Sequence, residues 1–228
     1  MIKATDNDTL QHDVDTLLAS QLAQWPDAAA RYRRLSSALI RTLTLRGGTF
    51  ELIHLPDRAV STCAPTDARS IARRPCFLCE ANRPAEQTRL PLPDTGLEIL
   101  VNPFPIYPKH LTLPSLEHEP QAYTQSLLER MLAISRRLRE FTVFYNGPHS
   151  GASAPDHLHL QAVSPAALSQ ITPGNESDGI RMLKNRDGVR LYFQPGLTSR
   201  PVPASRTDIA TVAAMIPKAL SLLHIHHG

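Results

Sequence analysis

Four absences bound this 228-residue chain. No stretch approaches the ~18 consecutive apolar residues of a membrane-spanning helix, which excludes an integral helical membrane protein. The first residues, Met1–Leu22, carry Asp6, Asp8, Asp13 and Asp15 and no apolar run, so a secretory signal peptide is not expected and the compartment is read as cytoplasmic. Net charge is small: 24 Lys and Arg against 21 Asp and Glu leave +3, too balanced to announce a nucleic-acid partner. Cysteine is scarce. Cys63, Cys76 and Cys79 cannot all pair internally, and two of them stand in a C-x-x-C, which in a reducing compartment points to metal or redox use before a structural disulfide. Glycine, at 10, is half as frequent as proline, at 20, so many connections are stiff, extended segments.

What is present is ordinary globular material, 42% hydrophobic and 20% charged, with no repeat or low-complexity tract. Thr9 to Arg46 reads as two helices broken near Trp25-Pro26-Asp27, with Leu10, Val14, Leu17, Leu18 and Leu22 at helical spacing. Thr49–Leu55, Leu97–Asn102, His110–Leu113, Phe141–Asn146, His157–Val163 and Val189–Gln194 read as strands. Gln121 to about Glu140 reads as an amphipathic helix, and a last helix is expected from about Asp208 to Leu223. Short connections between interleaved strands and helices give an α+β class. The expected organisation is one domain over 1–228, with a helical extension to residue 46, a core from 49 to 163, and a C-terminal segment from 164.

The chemistry gathers in one strand, loop, strand unit. Along His157-Leu158-His159-Leu160-Gln161-Ala162-Val163, a period of two puts His157, His159 and Gln161 on one face and Leu158, Leu160 and Ala162 on the other. Two histidines and a glutamine aligned opposite a uniformly apolar face point to a site. The preceding loop, from Asn146 through Gly147 to Ser150, Gly151 and Ser153, offers small residues whose N–H groups and hydroxyls suit an anionic oxygen.

These residues resemble the histidine-triad superfamily, and within it the transferase branch of galactose 1-phosphate uridylyltransferase, diadenosine tetraphosphate phosphorylase and the nucleoside-diphosphate-sugar phosphorylases. That branch has His-x-His-x-Gln, as His157, His159 and Gln161 stand here, and its phosphorylases have an S-G-A-S-x-P stretch similar to Ser150–Pro155. One extra residue, Asp156, separates that proline from the first histidine. A second block, Leu100-Val101-Asn102-Pro103 through His110-Leu111-Thr112-Leu113-Pro114, is similar to the superfamily's other active-site strand pair. The pattern from Trp25 through Cys79 also resembles a bacterial family of that superfamily, whereas residues 164–228 resemble nothing placed.

The resemblance implies a sheet flanked by helices, a cytoplasmic enzyme, and a nucleotide or nucleotide-sugar substrate with phosphate or sugar phosphate as acceptor. It implies that Asn102 meets a ribose, that His110 lies near the phosphates, and that His159 attacks an α-phosphorus while Gln161 donates to a nonbridging oxygen. Asn146, Ser150, Gly151 and Ser153 would line the phosphate. Cys76, Cys79, His118 and His157 match the zinc ligands of the uridylyltransferases, two thiolates and two imidazoles of structural type. A homodimer is compatible with the analogy, and neither a membrane nor a nucleic acid is an expected partner. Rival readings are a nucleotide hydrolase and a zinc-stabilised nucleotide-binding protein without turnover, the latter encouraged by a C-terminal segment with little visible strand.

Overall fold

The structure is a computed structural model and describes residues 5–45, 48–55, 61, 65–148, 152–164, 181–186, 189–195 and 220–227. Two helices open it, α1 (Thr5–Gln24) and α2 (Pro26–Arg34), with Pro26 at the start of α2, where its missing N–H costs nothing. The helical reading of residues 9–46 fails past Arg34. A 3₁₀ turn (Leu35–Ser37) leads into β1 (Leu39–Leu45), which pairs antiparallel with β2 (Gly48–His54). The reason lies in Arg41-Thr42-Leu43-Thr44-Leu45, whose alternation and threonines suit a strand better than a helix.

A short helix α3 (Ala68–Arg73) precedes the C-x-x-C turn. The main sheet then begins with β3 (Arg89–Leu92), β4 (Leu97–Val101) and β5 (His110–Pro114). Helix α4 (Gln125–Arg137) follows, then β6 (Thr142–Asn146) and β7 (His159–Val163). Three more strands, β8 (Arg181–Arg186), β9 (Val189–Pro195) and β10 (Leu220–His227), complete an eight-stranded antiparallel sheet in the order β3-β4-β5-β7-β6-β10-β9-β8. The class is α+β, as expected. Leu220–Leu223 are strand rather than the end of a helix, because β10 pairs with both β6 and β9, while 208–219 lie outside the described residues. The same pairing places His224, His226 and His227 in the sheet, and the described residues after 164 supply three strands.

One face of the sheet is covered by helices. Leu10, Val14, Leu17 and Leu18 of α1 and Leu127, Leu128, Met131 and Ile134 of α4 share a buried cluster with Leu97, Ile99, Leu111, Leu113, Leu160 and Ala162. Helix α4 starts only at Gln125 because the Thr124 hydroxyl caps it, accepting from the Leu127 N–H at 3.0 Å. With helices filling one face, the alternate residues of β4, β5, β6 and β7 are left for the other.

Candidate active site and metal centre

Register decides which residues meet on that second face. Thr112 of β5 stands opposite Gln161 of β7, Gln161 opposite Phe144 of β6, and Leu100 of β4 opposite Thr112. Residues directly opposite in antiparallel strands share a face, so this row runs straight across the site. His159 and His110, two positions from Gln161 and Thr112, lie on the same side.

The strand begins at His159, not His157. His157 sits in a turn, its N–H bonded to the Ala154 carbonyl at 3.2 Å, so the alternation covers only His159 and Gln161. The turn gives the two histidines different neighbours. His157, 1% exposed, reaches Cys76 Sγ with Nδ1 at 3.3 Å, and its Nε2 donates to the Ser115 carbonyl at 2.9 Å. That carbonyl can only accept, so Nε2 carries a proton, and in the neutral ring Nδ1 has its lone pair toward the cysteines, as a metal ligand requires.

Cys79 Sγ lies 3.6 Å from the same Nδ1 and 3.2 Å from Nδ1 of His118. The four ligand atoms of Cys76, Cys79, His118 and His157 all fall within 4.8 Å of one another. Two ligands of a tetrahedral zinc, sulfur at ~2.3 Å and nitrogen at ~2.0 Å, stand about 3.5 Å apart, so the observed sulfur to nitrogen spacings fit a metal ion. The donor set is closed, with two softer thiolates, as in structural sites.

The cysteine turn is well held. Cys79 N–H bonds the Cys76 carbonyl at 3.2 Å, Asn82 Nδ2 donates to that carbonyl at 3.0 Å, and Arg83 Nε donates to the Leu78 carbonyl at 2.8 Å. Arg83 also forms a buried ion pair with Glu98 of β4, which Arg89 joins at 3.3 Å. Burial opposes ionisation of Cys76, but the adjacent His157 imidazole together with the backbone N–H groups of Leu78 and Cys79 outweighs it and brings the thiol down to about 6. Burial likewise disfavours charge on His157, yet the Cys76 and Ser115 contacts raise it. Cys79 is pushed up, first by burial and then by Cys76.

His159 is arranged for a different task. Its Nδ1 keeps the ring proton and donates it in a hydrogen bond to the His157 carbonyl at 2.9 Å, which leaves Nε2 with the lone pair; Nε2 bonds no described residue. Burial lowers its pKa below the ordinary imidazole value, partly opposed by that carbonyl, so the ring is neutral at pH 7. Gln161 accepts at Oε1 from His110 Nε2 at 2.8 Å. Such a set can hold a neutral nucleophilic nitrogen beside an amide donor.

The remaining expected residues are placed as follows. Asn102 takes the Phe104 N–H on Oδ1 at 2.8 Å and donates to Thr112 Oγ1 at 2.9 Å, while His110 is fully buried beneath Gln161. Ser153 donates to the Ser61 carbonyl at 3.1 Å. Asn146 stands at the end of β6, and Ser150, Gly151 and Cys63 lie outside the described residues.

Two contributors escaped the sequence reading. Gln121 is 1% exposed; its Oε1 accepts from the His159 N–H at 2.7 Å, and its Nε2 donates to the carbonyls of Asn146 at 2.7 Å and His159 at 3.0 Å. It clamps the mouths of β6 and β7, whereas the sequence places it only at the start of an amphipathic helix. Asp156, the residue inserted before His157, pairs with Arg74 at 2.7 Å, whose guanidinium lies 4.8 Å above the Phe77 ring.

A family profile described as a domain of unknown function, DUF4922, matches residues 17–164. The chain belongs to the DUF4922 family. The matched span runs from late α1 to the residue after β7, so the four cysteine and histidine ligands, His159 and Gln161 all lie inside the DUF4922 domain. No curated protein matches the chain. Among solved structures it is similar to yeast Ap4A phosphorylase Apa2 in complex with AMP, at 18% identity and TM-score 0.45, over 90% of this chain and 79% of that one. The same yeast enzyme in complex with Ap4A aligns at 15% identity and TM-score 0.43, over 93% of this chain and 80% of the other. No helix among the described residues is long and apolar enough to cross a membrane.

Proposed function

We propose that this protein is a nucleotidyltransferase or phosphorylase of histidine-triad type, acting on a nucleoside diphosphate sugar or a dinucleoside polyphosphate. The observation that carries the reading is the His159 ring: Nδ1 bound to the His157 carbonyl at 2.9 Å, with the pKa held down by burial, so that a neutral Nε2 faces away with its lone pair. An imidazole nitrogen so prepared attacks phosphorus without a base to deprotonate it.

In the proposed first step the Nε2 lone pair forms a bond to the α-phosphorus, and the phosphoanhydride P–O bond breaks with its electron pair leaving on the departing sugar phosphate or, from a dinucleoside polyphosphate, the departing nucleoside polyphosphate. In the second step an acceptor phosphate oxygen attacks the same phosphorus, the P–N bond breaks, and Nε2 recovers its pair. Gln161 offers an amide N–H to a nonbridging oxygen and has no acidic proton to give, which suits an acceptor that already bears negative charge. Ser150, Gly151, Ser153 and Asn146 are proposed as the loop around the phosphoryl group, and Asn102 as a ribose contact.

Cys76, Cys79, His118 and His157 are proposed to hold zinc, which when bound ties the cysteine turn and the His118 segment to the residue two before the nucleophile. In this reading His157 contributes twice: its imidazole to the metal and its carbonyl to the His159 ring. The protein is proposed to work in the cytoplasm.

Incubation with Ap4A and a panel of nucleotide sugars, alkaline quench and intact-mass measurement is expected to show one nucleoside monophosphate adduct, absent from His159→Ala. A full adduct on His159→Ala would remove the nucleophile. Product released at equal rates with and without phosphate or sugar phosphate would instead make water the acceptor, and no adduct or product from any donor would leave a binding protein.

A further inference from the structure

His110 is the most deeply buried titratable group on the site face, at 0% exposure, and the mechanism above assigns it nothing. Its surroundings determine where its proton sits. The Ile106 backbone N–H points at Nδ1 from 3.2 Å, and a backbone N–H can only donate, so Nδ1 bears the lone pair. The single proton of the neutral ring is therefore on Nε2, 2.8 Å from Gln161 Oε1. Asn102 Nδ2, at 3.5 Å from the same Nε2, is too far to compete and is engaged with Thr112 Oγ1 at 2.9 Å. Tyr32 closes the arrangement from behind, its hydroxyl donating to the His110 carbonyl at 2.9 Å.

The consequence falls on Gln161. A glutamine amide is two-faced, able to present either its oxygen or its NH2 to a ligand. Here the oxygen is taken by His110, and the NH2 bonds no described residue on a half-buried side chain. We propose that His110 is a positioning residue that makes Gln161 a donor-only group, so that the site selects an unprotonated phosphoryl oxygen and disfavours a hydroxyl or any other donor in that place. The proposal rests on the nucleotide reading for its ligand, but the direction of the hydrogen bonds does not.

Two measurements on the full chain separate these. Long-range proton–nitrogen correlation spectra of the histidine-labelled wild type are expected to show His110 with unprotonated Nδ1 and protonated Nε2 near neutral pH. The opposite tautomer, or an imidazolium, overturns the proposal whatever the enzyme does. In the second, AMP binding is followed by calorimetry in a double-mutant cycle. His110→Leu, which keeps bulk and loses the donor, is expected to weaken AMP by about 10- to 100-fold, the range of a hydrogen bond to a charged group. His110→Gln, with an amide N–H near the place of Nε2, is expected to recover most of this, and His110→Leu should have little effect in a Gln161→Ala background.

An unchanged affinity in His110→Leu, or an equal loss in the Gln161→Ala background, overturns the positioning role. If AMP and the nucleotide sugars fail to bind the wild type, the nucleotide reading is lost, and the same cycle with inorganic phosphate decides this proposal alone: the same pattern sustains it, and no binding of phosphate overturns it.

Discussion

His157 and His159 are two residues apart, both buried and both histidine, yet the protein drives their pKa values in opposite directions. His157 faces a thiol and a carbonyl that favour its charged form, whereas at His159 burial, helped by the charge of His157, outweighs one carbonyl and Asp156. The sign for His159 is definite. Its folded pKa is below the ordinary 6.5, so as pH falls the unfolded chain takes up that proton first, and stability is lost from about 6.5 downward until the folded pKa is passed. Melting temperature measured from pH 8 to 5 is expected to fall more steeply in the wild type than in His159→Asn. Parallel melting curves would contradict this.

Gln121 satisfies three backbone groups at once. Replacing it by Leu strands the His159 N–H and two carbonyls in a buried place, and unpaired buried groups cost about 1–3 kcal/mol each. Denaturant unfolding of Gln121→Leu is expected to show a loss of about 3 kcal/mol or more. A change under 1 kcal/mol would mean that the backbone groups find other partners.

Helix α4 is the element that makes the sheet one-sided. Its buried stripe of Leu127, Leu128, Met131 and Ile134 lies against Leu111, Leu113, Leu160 and Ala162, and its apolar spacing was plain in the sequence. Met131, 0% exposed, is at the centre, and Met131→Ala is expected to cost about 2–5 kcal/mol, measured by chemical denaturation. The helix's start was not legible. Gln121 and Tyr123 continue the helical pattern, but the Thr124 cap ends it there, and Gln121 is drawn to the strand ends instead. At the other end of the chain, alternating residues from Leu220 to His227 look equally like the last turn of a helix. Pairing with β6 on one side and β9 on the other makes them a strand.

Across the whole molecule, the cysteine turn, the 115–118 segment and the approach to β7 come from three distant parts of the chain and meet at four ligand atoms. Each has some protein support, including the Arg83–Glu98 pair, but the four side chains themselves join only through a metal ion or through thiol and imidazole hydrogen bonds. With the proposed zinc bound, a strong chelator is expected to lower the melting temperature by several degrees and to loosen the His157 turn, with re-addition of zinc restoring both. Identical melting curves with and without chelator, on protein shown to contain metal beforehand, would leave the metal without a structural role. Cys79→Ser should mimic the chelator.

The site's residue types were legible in the sequence because period-two alternation and motif spacing are local properties: His159, Gln161 and the apolar Leu158, Leu160 and Ala162 were assigned their sides from the sequence alone. Residue pairs such as Cys76 and Cys79 carry the same kind of local signal. Tertiary structure alone decided the partners. The proton on His110, the clamp by Gln121, the burial that keeps His159 neutral and the carbonyl of Ser115 behind His157 all depend on backbone groups brought from elsewhere in the chain. Backbone N–H and C=O are identical at every position, so the sequence has no mark for the ones that a fold will aim at a side chain.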